Sequence, residues 1–184
     1  GNPVVVGAST ASRGGNSFVA RNLAASIALS ETQTALLVDC ALEDPAHGHL
    51  SLEAHKEGLV DYLRDSEMQV ERIIHATGIP RLRLIPAGVA SGGTRDYFSL
   101  PRFHKLLSEL KRRYPDRHVI LDAPAVDVSA DAGVLADLAD CSLLVVPYAK
   151  TTGDQLDSAI ARLGAEKVLG VIINDEPGSP LTGW

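Results

Sequence analysis

The sequence predicts an α/β fold, a doubly wound and mostly parallel sheet flanked by helices. Two observations carry this. The apolar runs Val4–Gly7, Thr34–Asp39, His118–Asp122, Cys141–Val146 and Val168–Ile173 are continuous rather than alternating, as in strands covered on both faces. Between them lie segments with helical periodicity, so strand and helix alternate along the chain. The 184 residues are read as a single domain over 1–184, long enough for a substantial core. Gly1, Asn2 and Pro3 read as a junction rather than a native start.

The first strand, Val4–Gly7, runs into a small-residue loop with two glycines, and a helix over Ser17–Leu29 follows. The second strand, Thr34–Asp39, ends in a carboxylate, and Asp44–Gly48 reads as loop. Gly58–Leu63 and Val70–Ile74 read as short helices, Leu82–Pro86 as the third strand, and Ala87–Thr94, with three glycines, as a loop suited to partner contacts. Pro101 opens an amphipathic helix carrying Phe103, Leu106, Leu107 and Leu110, proline being tolerated in a first helical turn. The fourth strand, His118–Asp122, also ends in a carboxylate. Helices over Ala130–Leu138 and Thr151–Leu163 and strands over Cys141–Val146 and Val168–Ile173 complete the chain.

Composition narrows the function. Hydrophobic residues make up 45% and charged residues 22%, ordinary values for a soluble globular domain. The net charge of −6 and pI near 5.4 argue against non-specific binding to nucleic acid or anionic lipid. The basic cluster from Lys105 to Arg117 is interspersed with Glu109 and Asp116 and reads as a solvated helix face. Cys40 and Cys141 end or open apolar runs and read as free buried thiols in a reducing compartment. No stretch reaches the roughly 18 apolar residues of a membrane span, so direct membrane insertion is not expected, and a cytoplasmic location is.

In such sheets ligands bind beyond the carboxyl ends of the strands. Ser9–Gly15, Asp39, Asp122 and Asn174 all fall there. A strand, glycine loop and helix in this order present backbone N–H groups and a helix N-terminus to phosphate. The P-loop pattern asks for glycine, four residues, glycine, lysine, then serine or threonine. Here Gly15 and Ser17 fit, whereas Asn16 stands at the lysine and Thr10 at the leading glycine. His47 and His49 form an H-x-H beside Asp44; two histidines in a polar loop are read as loop rather than as a metal site.

Together with Leu42 and Pro45, Leu121–Pro124, Asp131 and Gly170–Asn174, this stretch resembles the MinD/ParA-type P-loop NTPases. Within them it is most similar to the cytoplasmic domain of the bacterial tyrosine kinases (BY-kinases) of capsule and exopolysaccharide export. Leu59–Leu63 and Ile85–Gly88 carry that likeness too. The resemblance covers nearly the whole chain and implies a nucleotide site at Arg13, Gly14, Gly15, Asn16, Ser17, Phe18 and Asn174, with Asn174 matching an adenine-contacting asparagine. It implies Mg²⁺ contacts at Ser17 and Asp122 and vestigial catalytic roles for Asp39 and Asp122. It also implies a membrane-embedded polysaccharide co-polymerase or transport protein as partner, and homo-oligomers.

The departures lie where charge or close backbone approach is needed. Asn16 replaces the phosphate-binding lysine, Arg13 stands at a glycine, and Asp39–Cys40–Ala41 lacks the second carboxylate of Asp-x-Asp. Losing one charge-assisted hydrogen bond costs about 1.5–3 kcal/mol, and losing one group that stabilises transition-state charge costs about 10²–10³ in rate. The reading is therefore a degenerate, inactive kinase-like domain that acts as a regulatory or scaffolding subunit and uses no cofactor. The alternative is an active autophosphorylating tyrosine kinase or ATPase that uses ATP/ADP and Mg²⁺ through a variant loop, with Arg13 as a replacement cation. Of the two, Arg13 pointing to solvent is expected. A ParA-like positioning ATPase ranks third. No tyrosine cluster ends the chain: Tyr62, Tyr97, Tyr114 and Tyr148 are scattered, and Trp184 is terminal.

Overall fold

A computed structural model describes residues 2–47, 50, 57–89 and 96–176. His49, most of the loop over 87–94 and Trp184 lie outside the described residues. Seven strands form one sheet in the order β3-β4-β2-β5-β1-β6-β7. They are β1 (Val4–Ser9), β2 (Thr34–Asp39), β3 (His75–Ala76), β4 (Leu82–Ile85), β5 (Arg117–Asp122), β6 (Cys141–Pro147) and β7 (Val168–Asn174). All neighbours pair in parallel except β3, which runs antiparallel to β4 at the edge. The expected doubly wound, mostly parallel sheet is present. The two-residue β3 is an addition to it: His75–Ala76 shows no strand periodicity and is defined by its partner alone.

Helices cover both faces, as the continuous apolar strands require. On one side α1 (Asn16–Leu29) lays Ala20, Ala24 and Ala28 against Val5, Leu37 and Ile120. Alanine at every fourth position lets the helix approach the sheet closely. On the other side are α2 (Leu59–Arg64), α3 (Pro101–Arg113), α4 (Asp131–Leu138) and α5 (Gly153–Leu163). With Val4, Val6, Leu36, Val38 and Leu121 they enclose the larger core, in which Phe98 and Phe103 meet edge-to-face at 5.1 Å. Val70–Ile73, expected as a short helix, is a single 3₁₀ turn.

The local signals are met in detail. Pro101 sits in the first turn of α3, and Phe103, Leu106, Leu107 and Leu110 are buried. Thr152 and Gln155 cap α5 reciprocally, at 3.3 Å and 2.9 Å. The Asp61 carboxylate accepts the Gly58 amide at 2.8 Å at the start of α2. On the basic stretch, Lys111 pairs with Asp140, and Arg113 with Glu71 and Glu109, so the solvated face is laced with acids. Cys40 and Cys141 are free and buried. At the far edge, Leu169, Val171 and Ile173 of β7 stay exposed. Among the described residues no helix is long and apolar enough to cross a membrane.

Candidate functional site

Strand register sets the site. Gly7 of β1 lies beside Asp122 of β5, and Asp122 beside Asp39 of β2. One row across the middle of the sheet thus carries two carboxylates at its carboxyl edge. The β1–α1 loop rises over that row. Gly14 is hemmed in, since a Cβ there would stand 2.7 Å from the Ser9 Cβ and 2.8 Å from the Ala11 carbonyl oxygen. Gly15 caps α1 at φ 94°, and a Cβ on it would collide with the Asn174 amide at 2.1 Å. Arg13, where the P-loop resemblance implies a glycine, takes φ 57°. The loop keeps its left-handed turn there with an L side chain, a strained choice.

Asn16 is buried and turned down into the sheet. Its Nδ2 donates to Asp122 Oδ1 at 3.0 Å and to the Ala123 carbonyl at 2.7 Å, while its Oδ1 accepts the Ser9 hydroxyl at 3.0 Å. The other Asp122 oxygen, Oδ2, lies 2.8 Å from His47 Nε2. Asp39 receives backbone amides: Oδ2 those of Ala46 and His47 at 3.0 and 3.1 Å, Oδ1 that of Ala41 at 3.3 Å. Asp39, His47 and Asp122 are all fully buried. Burial pushes the Asp39 carboxyl up to about 6; His47 opposes this and Asp122 adds to it.

Above this buried layer a cavity of about 330 Å³ opens between the β1–α1 loop, the segment after β2 and the segment after β5. Arg13, Gly15, Asn16 and Ser17 line one wall, Cys40–Ala46 another, and Pro124, Ala125, Val128, Ser129 and Asp131 the third. Arg13 is the one cation among the described lining residues, against Glu43, Asp44 and Asp131. Burial raises the Asp131 carboxyl above its ordinary value. Arg13 is exposed, and its side chain makes no hydrogen bond or ion pair to another described residue.

The structure thus gathers Arg13, Gly15, Asn16 and Ser17 around one cavity, with Asp39 and Asp122 beneath. Asn174, at the end of β7, reaches back to donate to the Gly14 carbonyl at 3.3 Å. Phe18 stands apart from the cavity: it is 57% exposed on α1, with the Arg21 guanidinium 5.7 Å from its ring. The residue missed by sequence is His47. Read there as part of a polar loop, it is fully buried against Asp122. The reason is that Asp39 captures the amides of Ala46 and His47 and folds the segment after β2 inward.

No protein-family model matches the chain. Among proteins of known name it is 29% identical to tyrosine-protein kinase ptk of Acinetobacter johnsonii, over 88% of this chain and 22% of that one. It is 30% identical to the putative tyrosine-protein kinase EpsB of Ralstonia solanacearum, over 87% of this chain and 21% of that one. The chain spans about a fifth of the length of these relatives. The kinase domain of Escherichia coli tyrosine kinase ETK superposes with a TM-score of 0.85 at 22% identity, over all of this chain and 71% of that one. A ParA family ATPase from Chlorobium tepidum does so with a TM-score of 0.71 at 19% identity, over 95% and 74%. The chain is thus a relative of the bacterial tyrosine kinase (BY-kinase) domains and shares the P-loop fold of the MinD/ParA-type ATPases.

Proposed function

We propose that this is a catalytically degenerate tyrosine-kinase-like domain, a regulatory or scaffolding subunit of bacterial exopolysaccharide or capsule biosynthesis and export. The observation that carries the reading is the orientation of Asn16. The side chain at the lysine position spends both amide hydrogens on Asp122 and Ala123, so it offers the cavity no cation and no free donor. Asp122 and Asp39, the vestigial catalytic pair, are likewise engaged on all four oxygens by groups of the chain itself. The cavity walls carry three carboxylates to one guanidinium, a poor setting for a polyphosphate. The domain, taken as one unit over 1–184, binds its partners as a folded surface. Those partners are a membrane-embedded polysaccharide co-polymerase or transport protein, which recruits it to the inner face of the plasma membrane, and further copies of itself. It uses no nucleic acid and does not insert into the bilayer.

The second reading, a working kinase or ATPase with a variant loop, is favoured by one observation. Arg13 stands at the cavity with no side-chain partner among the described residues, and arginine suits phosphate geometry. Ser17 and Asp122 would then hold Mg²⁺, with Gly14, Gly15, Phe18 and Asn174 around the nucleotide. Calorimetric titration with ATP and ADP, with and without Mg²⁺, separates the two. No heat up to millimolar nucleotide is expected; micromolar, Mg²⁺-dependent binding lost in Arg13→Ala would put the enzyme first.

A further inference from the structure

We propose that His47 is the residue that denies the Asp122 carboxylate to a divalent cation, replacing the metal with a protein hydrogen bond. This rests on the degenerate-domain reading and names the device that enforces it. The resemblance implies a magnesium contact at this strand-end aspartate; as arranged here, the residues do not fit one. Mg²⁺ needs carboxylate oxygens at about 2.0–2.1 Å in near-octahedral geometry and keeps several waters. Asp122 Oδ2 faces a ring nitrogen at 2.8 Å, and Oδ1 faces the Asn16 amide at 3.0 Å. Asp122 and His47 both have no exposed surface, so no shell of water reaches the carboxylate. Ser17 lines the cavity, on the open side of the layer that Asn16 and His47 complete.

The backbone that carries the ring is fixed on both sides. The His47 amide donates to Asp39 Oδ2 at 3.1 Å, and the His47 carbonyl accepts the Leu50 amide at 2.9 Å. Its chemistry follows from what surrounds it. Nδ1 is buried and has no hydrogen-bond partner among the described residues. A carboxylate oxygen accepts, so the hydrogen between the two lies on Nε2, which donates to Asp122. Each oxygen of the Asp122 carboxylate thus accepts from a side chain of the protein itself.

The test uses Mn²⁺ alone as probe, followed by its electron paramagnetic resonance signal, on the wild-type chain and on His47→Ala and His47→Gln. Wild type is expected to leave the free-ion signal unchanged. His47→Ala should bind Mn²⁺ about tenfold or more tightly than wild type, and His47→Gln, which restores an N–H donor, should return towards wild type. A folded His47→Ala that binds no more Mn²⁺ than wild type would overturn the assignment. Should His47→Ala fail to fold, ¹H–¹⁵N spectra of the wild-type imidazoles decide. An Nε2-protonated His47 that is unchanged at about 10 mM Mg²⁺ is expected, and loss or shift of that hydrogen on adding Mg²⁺ refutes the idea. The broader reading fails differently: wild type would then bind Mg²⁺-ATP in calorimetry. A silent wild type with a silent, folded His47→Ala sinks only the role of His47.

Discussion

Asn16→Ala tests whether the amide at the lysine position is part of the architecture. The substitution removes the two hydrogen bonds the amide donates, to Asp122 Oδ1 and the Ala123 carbonyl, and its share of the single Ser9 hydroxyl hydrogen. The bond to the carboxylate is worth about 1.5–3 kcal/mol and the neutral ones about 1 kcal/mol each. Two effects reduce the sum. Ser9 keeps its bond to the Ala11 carbonyl at 2.8 Å, and the adjoining cavity can supply water to the freed oxygen. A net loss of about 2–4 kcal/mol remains, and for a domain of this size that lowers the melting temperature by roughly 5–15 °C. Urea unfolding followed by circular dichroism reads it directly, with an unchanged m-value showing that the unfolded state is not the cause. Asn16→Asp is the companion, placing a second carboxylate against Asp122. It should be the worse variant at neutral pH and recover as the pH falls. A loss below about 0.5 kcal/mol for Asn16→Ala would refute the argument, because the side chain would then be held by nothing that matters.

Two further outcomes follow from other parts of the fold. Burial lifts the Asp39 carboxyl from 3.8 to about 6. Between those values the folded chain binds more protons than the unfolded one, so this group's contribution makes stability fall as pH rises through that window. The effect is at most about 3 kcal/mol. Asp39→Asn keeps an acceptor for the Ala46 and His47 amides, so subtracting its stability from that of wild type at pH 4, 5, 6 and 7 should isolate the slope; a difference of opposite sign refutes it. Arg102 donates to the carbonyls of Tyr62, Asp65, Ser66 and Met68 at 2.5–2.9 Å, with its guanidinium 4.0 Å from the Tyr62 ring centre. An ammonium cannot span that fork, so Arg102→Lys should cost about 1–2 kcal/mol and speed proteolysis between α2 and the 3₁₀ turn; a wild-type melting temperature would contradict it.

The parts of this molecule that sequence discloses are those set by local pattern. Leu36–Asp39 and Leu121–Asp122 are apolar runs ending in a carboxylate, and parallel pairing alone then brings Asp39 beside Asp122. β3 escapes because two residues carry no period, and only Leu84 and Arg83 across from His75 and Ala76 define it. Arg13 shows what a side chain's identity hides: it takes a left-handed φ of 57° that favours glycine. Asn16 was visible as a lost charge, but its direction was not, because nothing within the loop says that its amide will turn down to a strand-end aspartate 106 residues away. His47 was invisible for the same reason, its burial being decided by amides drawn to Asp39. Read along the chain, Asn16 and Ala41 stand where the P-loop resemblance implies a lysine and a carboxylate. Read in space, each oxygen of Asp122 accepts from a side chain of the protein itself. A buried carboxylate left without its partners would cost several kcal/mol, so these donors are what lets Asp122 stay at the centre of the fold when no cation serves it.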